Sequence, residues 1–570
     1  MSLMLLKTCK AGAATVRMVS RTSSASASRV SMIGRHLTTS QSAQSSSTPS
    51  ASSDPAEPLV RFESLHSLRK ATLNRPAAFN ALNKEMVDLL QPQLEKWEAS
   101  DLASVIVLRG TGKHFCAGGD VKNGDLSSAA LAKQLATEET WADSANFFGD
   151  EYVTDHFIAN MRTPVVAFIH GNTLGGGCGL SMHAPFRIAT ETTILGMPET
   201  NIGLFPDVGA NFFLPRLDGE LGVYLGLTGH TLRGKDALFA GFASHFVPSE
   251  RLNAVEARLS ELGAKAALED VNAAIEEFVA DAEELQSGPA YPLVGAKRRA
   301  IDAIFGRKTV ESIITGLSEL ESGSMPLDKL VFEGEEVDIG NLQQWAKTTR
   351  EVLEHRSPTS LKLTLKAIRE GAKLDIDEVF AMDLRIATAC CVSTLVDYRM
   401  YSSATDSQLH VFGSLKNPTI HPDFRVGVTH LLVDKRKDRA PWSPSSLAEV
   451  EDSTILKNFF SNPAPFSNPP VKPLQKRAPE SARPYREYPH ARFSLPSERQ
   501  IKDIVTGEAK GSGKFAMTKD EVVARVAQEA QRLSGGAEKI GLREKVNEVL
   551  QRKCRVGEQG TLRWVSSSTV

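Results

Sequence analysis

The sequence predicts an α/β protein whose C-terminal region is mainly helical. Two short apolar runs rich in β-branched residues, 105–108 and 165–169, have the length and composition of buried strands. Stretches with helical spacing of apolar residues lie around them, and from about 252 to 400 the helical pattern dominates. Strands that alternate with helices are typical of a sheet covered by helices.

The composition, 41% hydrophobic and 24% charged, is that of a soluble globular protein, and 570 residues suffice for more than one domain. No apolar run approaches the roughly 18 residues that a membrane-spanning helix needs, so we expect no membrane span. The six cysteines form no CxxC pair and no zinc-type spacing with histidine. This cysteine pattern predicts reduced thiols in a non-secreted protein.

The net charge of −2 conceals a strong partition of charge along the chain. Residues 1–53 carry a net charge of +6 and residues 461–570 carry +8, which leaves −16 on residues 54–460. Because an acidic segment lies between two basic terminal segments, we expect the terminal segments to bind different partners from the central one.

The N-terminal 40 residues have the composition of a mitochondrial transit peptide. Lysine, arginine and serine are frequent there, and no acid precedes Asp54. We therefore expect residues 1–40 to be a transit peptide and the protein to reside in the mitochondrial matrix. The alternative is a disordered tail that has no targeting function. The Ser-rich stretch 41–58 is predicted to be a linker.

Folded sequence is expected from Leu59 onward. The apolar spacing from Lys84 to Trp97 predicts a helix that Pro92 should kink. The strands at 105–108 and 165–169 follow, and a further strand begins at Phe186. We expect a core over 59–250 and a helical part over 251–460.

The last 110 residues, 461–570, differ in composition from the rest of the chain and are called the C-terminal extension here. Nine prolines between 463 and 496 predict an extended basic arm over 461–517. Thr518 and Glu521 form a capping-box signature, which predicts a short helical extension over 518–570. Two short amphipathic helices there, at 518–533 and 542–550, would need a partner surface to be stable.

Two glycine-rich turns follow the apolar strands. They are FCAGGD at 115–120 and the glycine triplet at 175–177. Glycine lets the backbone approach a ligand closely, and two N–H groups that converge on one oxygen form an oxyanion hole. Neither turn matches a nucleotide-binding fingerprint.

These turns carry a resemblance to a known superfamily. Asn74-Arg75-Pro76, Asn80-Ala81-Leu82, FCAGGD and the segment HGNTLGGGCGL at 170–180 resemble the enoyl-CoA hydratase/isomerase (crotonase) superfamily. The resemblance implies a spiral of ββα units, an acyl-CoA substrate and no metal or redox cofactor. It also implies that the N–H groups of Gly119 and Gly176 polarise the thioester carbonyl, with Gly118 beside the substrate.

The chain departs from the hydratases of that superfamily at one catalytic position. Hydratases carry a glutamate three residues after the middle glycine, where this chain has Gly179, whereas the second hydratase glutamate is kept as Glu199. The segments 197–217 and 147–152 resemble the 3-hydroxyisobutyryl-CoA hydrolases, and this resemblance extends over about 59–455. Hydration of an enoyl-CoA is thereby disfavoured.

The resemblance to these hydrolases implies roles for three acids. Glu199 would act as nucleophile or as general base on water, and a site shielded by Phe205 would raise its pKa. Asp207 would bind the 3-hydroxyl of the substrate or orient water, unless it only caps a helix that begins at 208. Glu151 would line the pocket, unless it is a surface acid. No GxSxG motif is present, which disfavours a serine hydrolase.

Three histidines flank these motifs and are expected to be structural. They are His114, His170 and His183.

Two functions are compatible with these features. The first is hydrolysis of 3-hydroxyisobutyryl-CoA in valine catabolism. The second follows from fungal relatives of this hydrolase family that belong to the small subunit of the mitochondrial ribosome. There the extension would attach the protein, with Tyr485, Tyr488 and Phe493 stacking on bases; the alternative is a disordered solubilising tail. We expect removal of 461–570 to leave hydrolysis nearly unchanged, because the family resemblance ends before it.

Overall fold

The computed structural model describes residues 57–120, 141–391, 422–461 and 483–565, apart from 333, 512, 514, 515 and 535–537. The predicted transit peptide (1–40), nearly all of the Ser-rich linker and the first part of the predicted arm lie outside these residues. Residues 57–570 form one compact unit; residues 57–460 of it are called the body below.

The strands of the described residues form three sheets. A six-stranded sheet has the order β1-β2-β3-β4-β6-β9, a three-stranded sheet has the order β5-β7-β8, and β10 pairs with β11. The strands are β1 Val60–Leu65, β2 Leu68–Leu73, β3 Val105–Gly110, β4 Val165–Phe168, β5 Asn172–Leu174, β6 Phe186–Ala189, β7 Ile194–Gly196, β8 Leu232–Arg233, β9 His245–Phe246, β10 Cys554–Val556 and β11 Leu562–Trp564.

Helices surround the sheets and dominate after β9. The α-helices are α1 Lys84–Glu98, α2 Trp141–Asn160, α3 Gly176–Met182, α4 Ala210–Phe213, α5 Leu221–Thr228, α6 Asp236–Phe239, α7 Leu252–Ser260, α8 Leu268–Glu276, α9 Ala282–Gln286, α10 Gly295–Phe305, α11 Val310–Glu321, α12 Ile339–His355, α13 Pro358–Gly371, α14 Ile376–Cys391, α15 Asp423–Gly427, α16 Asp452–Ile455, α17 Glu498–Val505, α18 Lys519–Ser534 and α19 Leu542–Lys553. No helix of the described residues is both long and apolar enough to cross a bilayer.

The large sheet is parallel from β2 to β9, and only the β1–β2 pair is antiparallel. Its central strands β3 and β4 are almost wholly buried on both faces, which explains their continuous apolar sequence. The predicted α/β fold with a mainly helical C-terminal region is confirmed. The strands expected at 105–108, 165–169 and 186 onward are present, as is the helix from Lys84, which contains Pro92.

The described part of the C-terminal extension packs against the body chiefly through α19, which contacts α10, whereas α18 packs on α17 and α19. Within the predicted arm, residues 498–505 form α17, and α18 and α19 follow close to their predicted bounds. Apolar side chains of all three helices belong to the same hydrophobic core as the body. The partner surface that these short helices need is therefore the body of the same chain.

Aromatic residues at the start of the extension also face the body. Phe493 is buried against Phe186 of β6, with ring centroids 5.1 Å apart. The rings of Tyr485 and Tyr488 pack edge-on against Phe212, at 5.6 Å and 4.9 Å. The expectation that these three rings are available to stack on bases is therefore wrong.

Buried ion pairs join the extension to the body. Arg552 of α19 is buried and contacts Asp302 of the body at 3.2 Å, and its neighbour Lys553 contacts the same carboxylate at 2.8 Å. Burial alone would raise the pKa of Asp302, but Arg298, Arg552 and Lys553 together hold it below its ordinary value. Lys545 makes a second buried pair with Asp218 at 2.5 Å.

Loss of the Arg552 charge should destabilise the whole unit. Arg552→Leu removes one of the cations that neutralise the buried carboxylate of Asp302, which costs about 3 kcal/mol of unfolding free energy. The measurement is the denaturation midpoint of the full chain. The matched control is Arg543→Leu, because Arg543 is exposed on the same helix, and it should leave the midpoint nearly unchanged. Equal midpoints for both variants would contradict this account of how the extension is held.

Candidate active site

The two glycine-rich turns predicted from the sequence lie directly against each other. A Cβ on Gly118 would stand 3.1 Å from the carbonyl oxygen of Leu174, and one on Gly175 would stand 3.7 Å from the Gly118 Cα. On Gly177 a Cβ would lie 2.5 Å from the carbonyl oxygen of Cys116. Real Cβ atoms do not approach backbone this closely, so the contact requires glycine at 177.

Gly119 and Gly176 each follow directly after a glycine of this contact, and their N–H groups are the predicted oxyanion donors. The strand-like bridge between Leu82 and Gly119 uses the carbonyl of Gly118 and the N–H of Asp120, which leaves the Gly119 N–H free. Gly176 is the first residue of α3, so its N–H lacks an acceptor inside the helix. Neither N–H donates a hydrogen bond to another residue that the structure describes.

Arg75 and Asn80 of the first motif hold the FCAGGD turn in place. Arg75 donates to the carbonyl of Ala81 at 2.7 Å and pairs with Asp120 at 2.5 Å. The Asn80 amide donates to the carbonyl of His114 at 2.7 Å, and its backbone adopts a positive φ of 57°. Asparagine tolerates that conformation better than most residues, so this motif has a structural role.

Four buried acids surround the glycine turns. Glu199 begins a 3₁₀ turn at Glu199–Ile202, and its Oε1 lies 2.7 Å from where a Cβ on Gly175 would stand. Glu151 is so close to Gly176 that a Cβ there would collide with its carboxylate. Asp207 and Asp155 complete the group, and all four are buried. Glu151 is therefore not a surface acid.

Helix α2 supplies three of the side chains at this site from one face. Glu151 and Asp155 are four positions apart and share one face, and Tyr152 stands three positions before Asp155 at the edge of that face. The Tyr152 hydroxyl donates to Oδ2 of Asp207 at 2.6 Å. Oε1 of Glu151 and both carboxyl oxygens of Asp155 have no hydrogen-bond partner among the described residues.

Burial raises the pKa of each of these carboxyl groups. The pKa of Glu199 lies well above its ordinary value because of burial and, second, the charge of Asp207. For the same two reasons the pKa of Glu151 rises to about 8. The pKa of Asp207 rises only to about 6, since burial is opposed by the hydrogen bond from Tyr152. The site can therefore hold protonated and ionised carboxyl groups side by side near neutral pH.

Asp155 occupies the space in front of Gly179. A Cβ on Gly179 would collide with Oδ2 of Asp155 and would lie 2.8 Å from the Cβ of Val208. A glutamate at 179, which the hydratases use, therefore cannot be accommodated beside Asp155. Burial and then the charge of Glu151 raise the pKa of Asp155 well above its ordinary value.

The loop after Asp207 is strained and firmly held. Val208 has a φ of 52° and Gly209 a φ of 77°, and a positive φ is a strained conformation for a β-branched residue. Asp383 of α14 accepts a hydrogen bond from the Gly209 N–H at 3.0 Å. Helix α4 begins after Gly209 without any side-chain cap, so the alternative that Asp207 caps a helix is wrong.

The three histidines near the motifs each contact backbone. His114 accepts from the N–H of Asn172 at 3.0 Å, and His170 lies 3.0 Å from the carbonyl oxygen of Phe168. His183 lies 2.9 Å from the carbonyl oxygen of Val208. These contacts agree with the structural role expected for them.

The structure brings together all six residues predicted for the site. They are Gly118, Gly119, Glu151, Gly176, Glu199 and Asp207. Sequence reasoning missed Tyr152 and Asp155, although the spacing of four residues between Glu151 and Asp155 was a usable signal.

Comparison with known proteins gives the family. The sequence pattern of the family described as enoyl-CoA hydratase/isomerase matches residues 68–399. That match spans more than half of the chain and includes every residue of the site. The chain belongs to this family.

Similar proteins carry two kinds of name. A protein of Neurospora crassa named small ribosomal subunit protein mS47 is 38% identical, over 88% of this chain and 86% of its own length. The mitochondrial 3-hydroxyisobutyryl-CoA hydrolase of Danio rerio is 36% identical, over 70% of this chain and 89% of its own length. The human enzyme of that name is 35% identical over 68% of this chain and 85% of its own length.

Solved structures agree with the fold. A carnitinyl-CoA dehydratase from Mycobacterium thermoresistibile is 26% identical and superposes with a TM-score of 0.55, covering 74% of this chain and 99% of its own. An enoyl-CoA hydratase from Rhodobacter sphaeroides, also 26% identical, gives 0.53 and covers 71% of this chain and 98% of its own. The predicted crotonase fold is confirmed.

The raised pKa of Glu151 predicts a pH-dependent stability. The folded state favours the protonated acid up to about pH 8, whereas the unfolded chain ionises near the ordinary value of 4.5. Stability is therefore lost as the pH rises between these values. Glu151→Gln removes this loss and should stabilise the protein at pH 8 by on the order of a few kcal/mol, with little effect at pH 4.5.

Thermal unfolding of both proteins across this pH range checks the prediction. The control is Glu85→Gln, since Glu85 is exposed on α1. A difference between wild type and Glu151→Gln that stays constant with pH would show that Glu151 is not protonated in the folded protein.

Proposed function

We propose that this protein hydrolyses 3-hydroxyisobutyryl-CoA to 3-hydroxyisobutyrate and CoA, a reaction of valine catabolism. The observation that carries the proposal is a buried Glu199 in a site that has glycine at position 179. Oε2 of Glu199 has no hydrogen-bond partner among the described residues, and Asp155 fills the space at position 179, where the hydratases carry their other glutamate. The names of the hydrolase relatives support the same reaction.

The first step is polarisation of the thioester. The N–H groups of Gly119 and Gly176 bind the carbonyl oxygen and stabilise the negative charge that develops on it. Gly118 lies against Gly175 and Glu151 lies against Gly176, so both would stand beside the acyl group. Because these donors belong to the backbone, substrate binding does not depend on the charge of Glu199.

Glu199 then acts by one of two routes. As nucleophile, its carboxylate adds to the carbonyl carbon, CoA leaves as thiolate, and water hydrolyses the resulting anhydride. As general base, it takes a proton from water while the water oxygen adds to the carbonyl carbon, and collapse of the intermediate expels the thiolate. In both routes the thiolate finally takes up a proton.

Asp207 is suited to bind the 3-hydroxyl group of the substrate or to orient water. Tyr152 donates to its Oδ2, which leaves Oδ1 to accept a hydrogen bond from a hydroxyl group. The lower pKa of Asp207, about 6, keeps it more ionised than Glu151 at neutral pH. An ionised carboxylate accepts hydrogen bonds more strongly than a neutral acid.

We place the protein in the mitochondrial matrix. The hydrolase relatives are named as mitochondrial proteins, and the first 53 residues of this chain carry no acid. Both features fit import into the organelle in which valine is degraded.

A second candidate function is membership of the small subunit of the mitochondrial ribosome. The match to the protein named mS47 covers 88% of the chain, which is more than the 460 residues that precede the extension. It therefore includes part of the extension, whereas the 68–70% matches to the hydrolases need not. This second role is compatible with hydrolysis, because the site residues lie in the body.

The enzyme without residues 1–40 should release free CoA from 3-hydroxyisobutyryl-CoA and hydrate crotonyl-CoA little. Glu199→Gln should lower turnover by at least about 100-fold and leave CoA binding largely intact. Asp207→Asn should cost less with acyl-CoAs that lack the 3-hydroxyl. Thiol release and crotonyl-CoA absorbance are the measurements.

Two outcomes would overturn this assignment. One is efficient hydration without thiol release, and the other is full activity of Glu199→Gln. Single turnover in ¹⁸O-water separates the two routes, since a nucleophilic Glu199 can acquire the label and a general base cannot.

Attachment to the ribosome should depend on exposed cations of the extension. The acidic body is repelled by RNA, and contacts to phosphate weaken steeply with salt. A variant with five of these cations changed to glutamine should leave the small-subunit fraction of a sucrose gradient at lower salt than wild type. The five positions are Arg486, Arg499, Lys510, Arg532 and Arg543.

The matched control changes five exposed lysines of the body, which should not alter sedimentation. They are Lys96, Lys113, Lys265, Lys347 and Lys373. Wild-type protein that stays at the top of the gradient at every salt concentration would remove the ribosomal role.

A further inference from the structure

Residues 485–488 of the extension lie behind the loop that carries Asp207. The N–H of Ile376 donates to the carbonyl of Tyr485 at 3.1 Å, and Arg216 donates to the carbonyl of Arg486 at 2.7 Å. The Tyr485 hydroxyl donates to the carbonyl of Ala159 at 3.0 Å. These contacts fix the path of the segment without touching the site.

Tyr488 makes a different kind of contact. Its hydroxyl lies 2.8 Å from Nδ1 of His183, and Nε2 of the same ring lies 2.9 Å from the carbonyl oxygen of Val208. A carbonyl can only accept a hydrogen bond, so Nε2 must carry a proton. Burial lowers the pKa of His183 to about 4, so the ring is neutral and Nδ1 accepts from the Tyr488 hydroxyl.

These contacts connect Tyr488 of the extension to Asp207 of the proposed site through three consecutive links. Tyr488 fixes the tautomer of His183, His183 holds the carbonyl of Val208, and Val208 directly follows Asp207. The held peptide is the strained one, with a positive φ at both Val208 and Gly209. If the Val208 carbonyl lost its hydrogen-bond donor, we expect this strained peptide to relax and thereby to shift the position of Asp207.

We propose that Tyr488 is a positioning residue of the active site, through which the C-terminal extension holds Asp207 in its working orientation by way of His183. The inference rests on the proposed hydrolase function. Tyr488 lies outside residues 68–399 that match the family. The extension thus contributes to the site of the body, and the expectation that its removal leaves hydrolysis unchanged is not supported by these contacts.

A double-mutant cycle tests the proposal on the full chain without residues 1–40. Tyr488→Phe keeps the ring and removes only the hydroxyl. It should lower kcat for 3-hydroxyisobutyryl-CoA by about tenfold, the effect of one misplaced hydrogen-bonded group, with a smaller change in KM. In an Asp207→Asn background the same change should cause no further loss, because both act through one side chain.

Tyr485→Phe is the matched control. It removes a hydroxyl with a similar hydrogen bond three residues earlier and should leave kcat unchanged. Thermal melting of every variant shows whether the fold is retained.

The variant His183→Gln tests the hydrogen bond to the Val208 carbonyl independently. A glutamine amide can donate to the Val208 carbonyl without Tyr488, so Tyr488→Phe should have no effect in that background.

The outcomes separate this inference from the proposed function. An inactive wild-type enzyme would remove the proposed function and this inference with it. An active wild type with Tyr488→Phe at full kcat would overturn only the positioning role. Losses from Tyr488→Phe and Asp207→Asn that multiply would also overturn it, because independent effects multiply.

Discussion

The close contact between two glycine turns is the constraint on which the site depends. Gly177 approaches the backbone of Cys116 at a distance that excludes any side chain, and this approach fixes the first turn of α3 against the FCAGGD turn. Gly119 and Gly176 follow directly after two glycines of this contact, so the proposed oxyanion hole would be built from backbone alone. Arg75 and Asn80 serve this contact, since they tie the first turn to the loop after β2.

Acids that are costly to bury are gathered around that contact. Glu151, Asp155, Glu199 and Asp207 all lie in a setting that raises the pKa of a carboxyl group. Such a group is destabilising when ionised and is retained where chemistry uses it. Among the side chains that the structure describes, Tyr152 donates a hydrogen bond to Asp207 and none donates to the other three acids, and the pKa of Asp207 is raised less than that of Glu151. The site thereby gives different pKa values to carboxyl groups that have similar values in an unfolded chain.

Oppositely charged side chains of the body and the extension form ion pairs with each other. The net charges of −16 and +8 suggested separate partners, yet Lys539, Lys545 and Arg552 of the extension pair with Glu276, Asp218 and Asp302 of the body. Several of these pairs are buried, where an unpaired charge would be strongly destabilising. Part of the basic character of the extension is thus used for docking, and the exposed cations remain for other partners.

The sequence by itself determined the fold class, the principal strands and the six residues brought together at the site. The strands could be predicted because buried parallel strands have continuous apolar runs, and the six site residues because the motifs that carry them resemble those of the crotonase superfamily. Only the tertiary structure showed that Asp155 fills the space before Gly179, that Tyr152 donates to Asp207, and that Tyr488 reaches His183. These relations join residues that are 24, 55 and 305 positions apart. Local pattern carries no information about such distances, since packing of the whole chain decides which side chains meet.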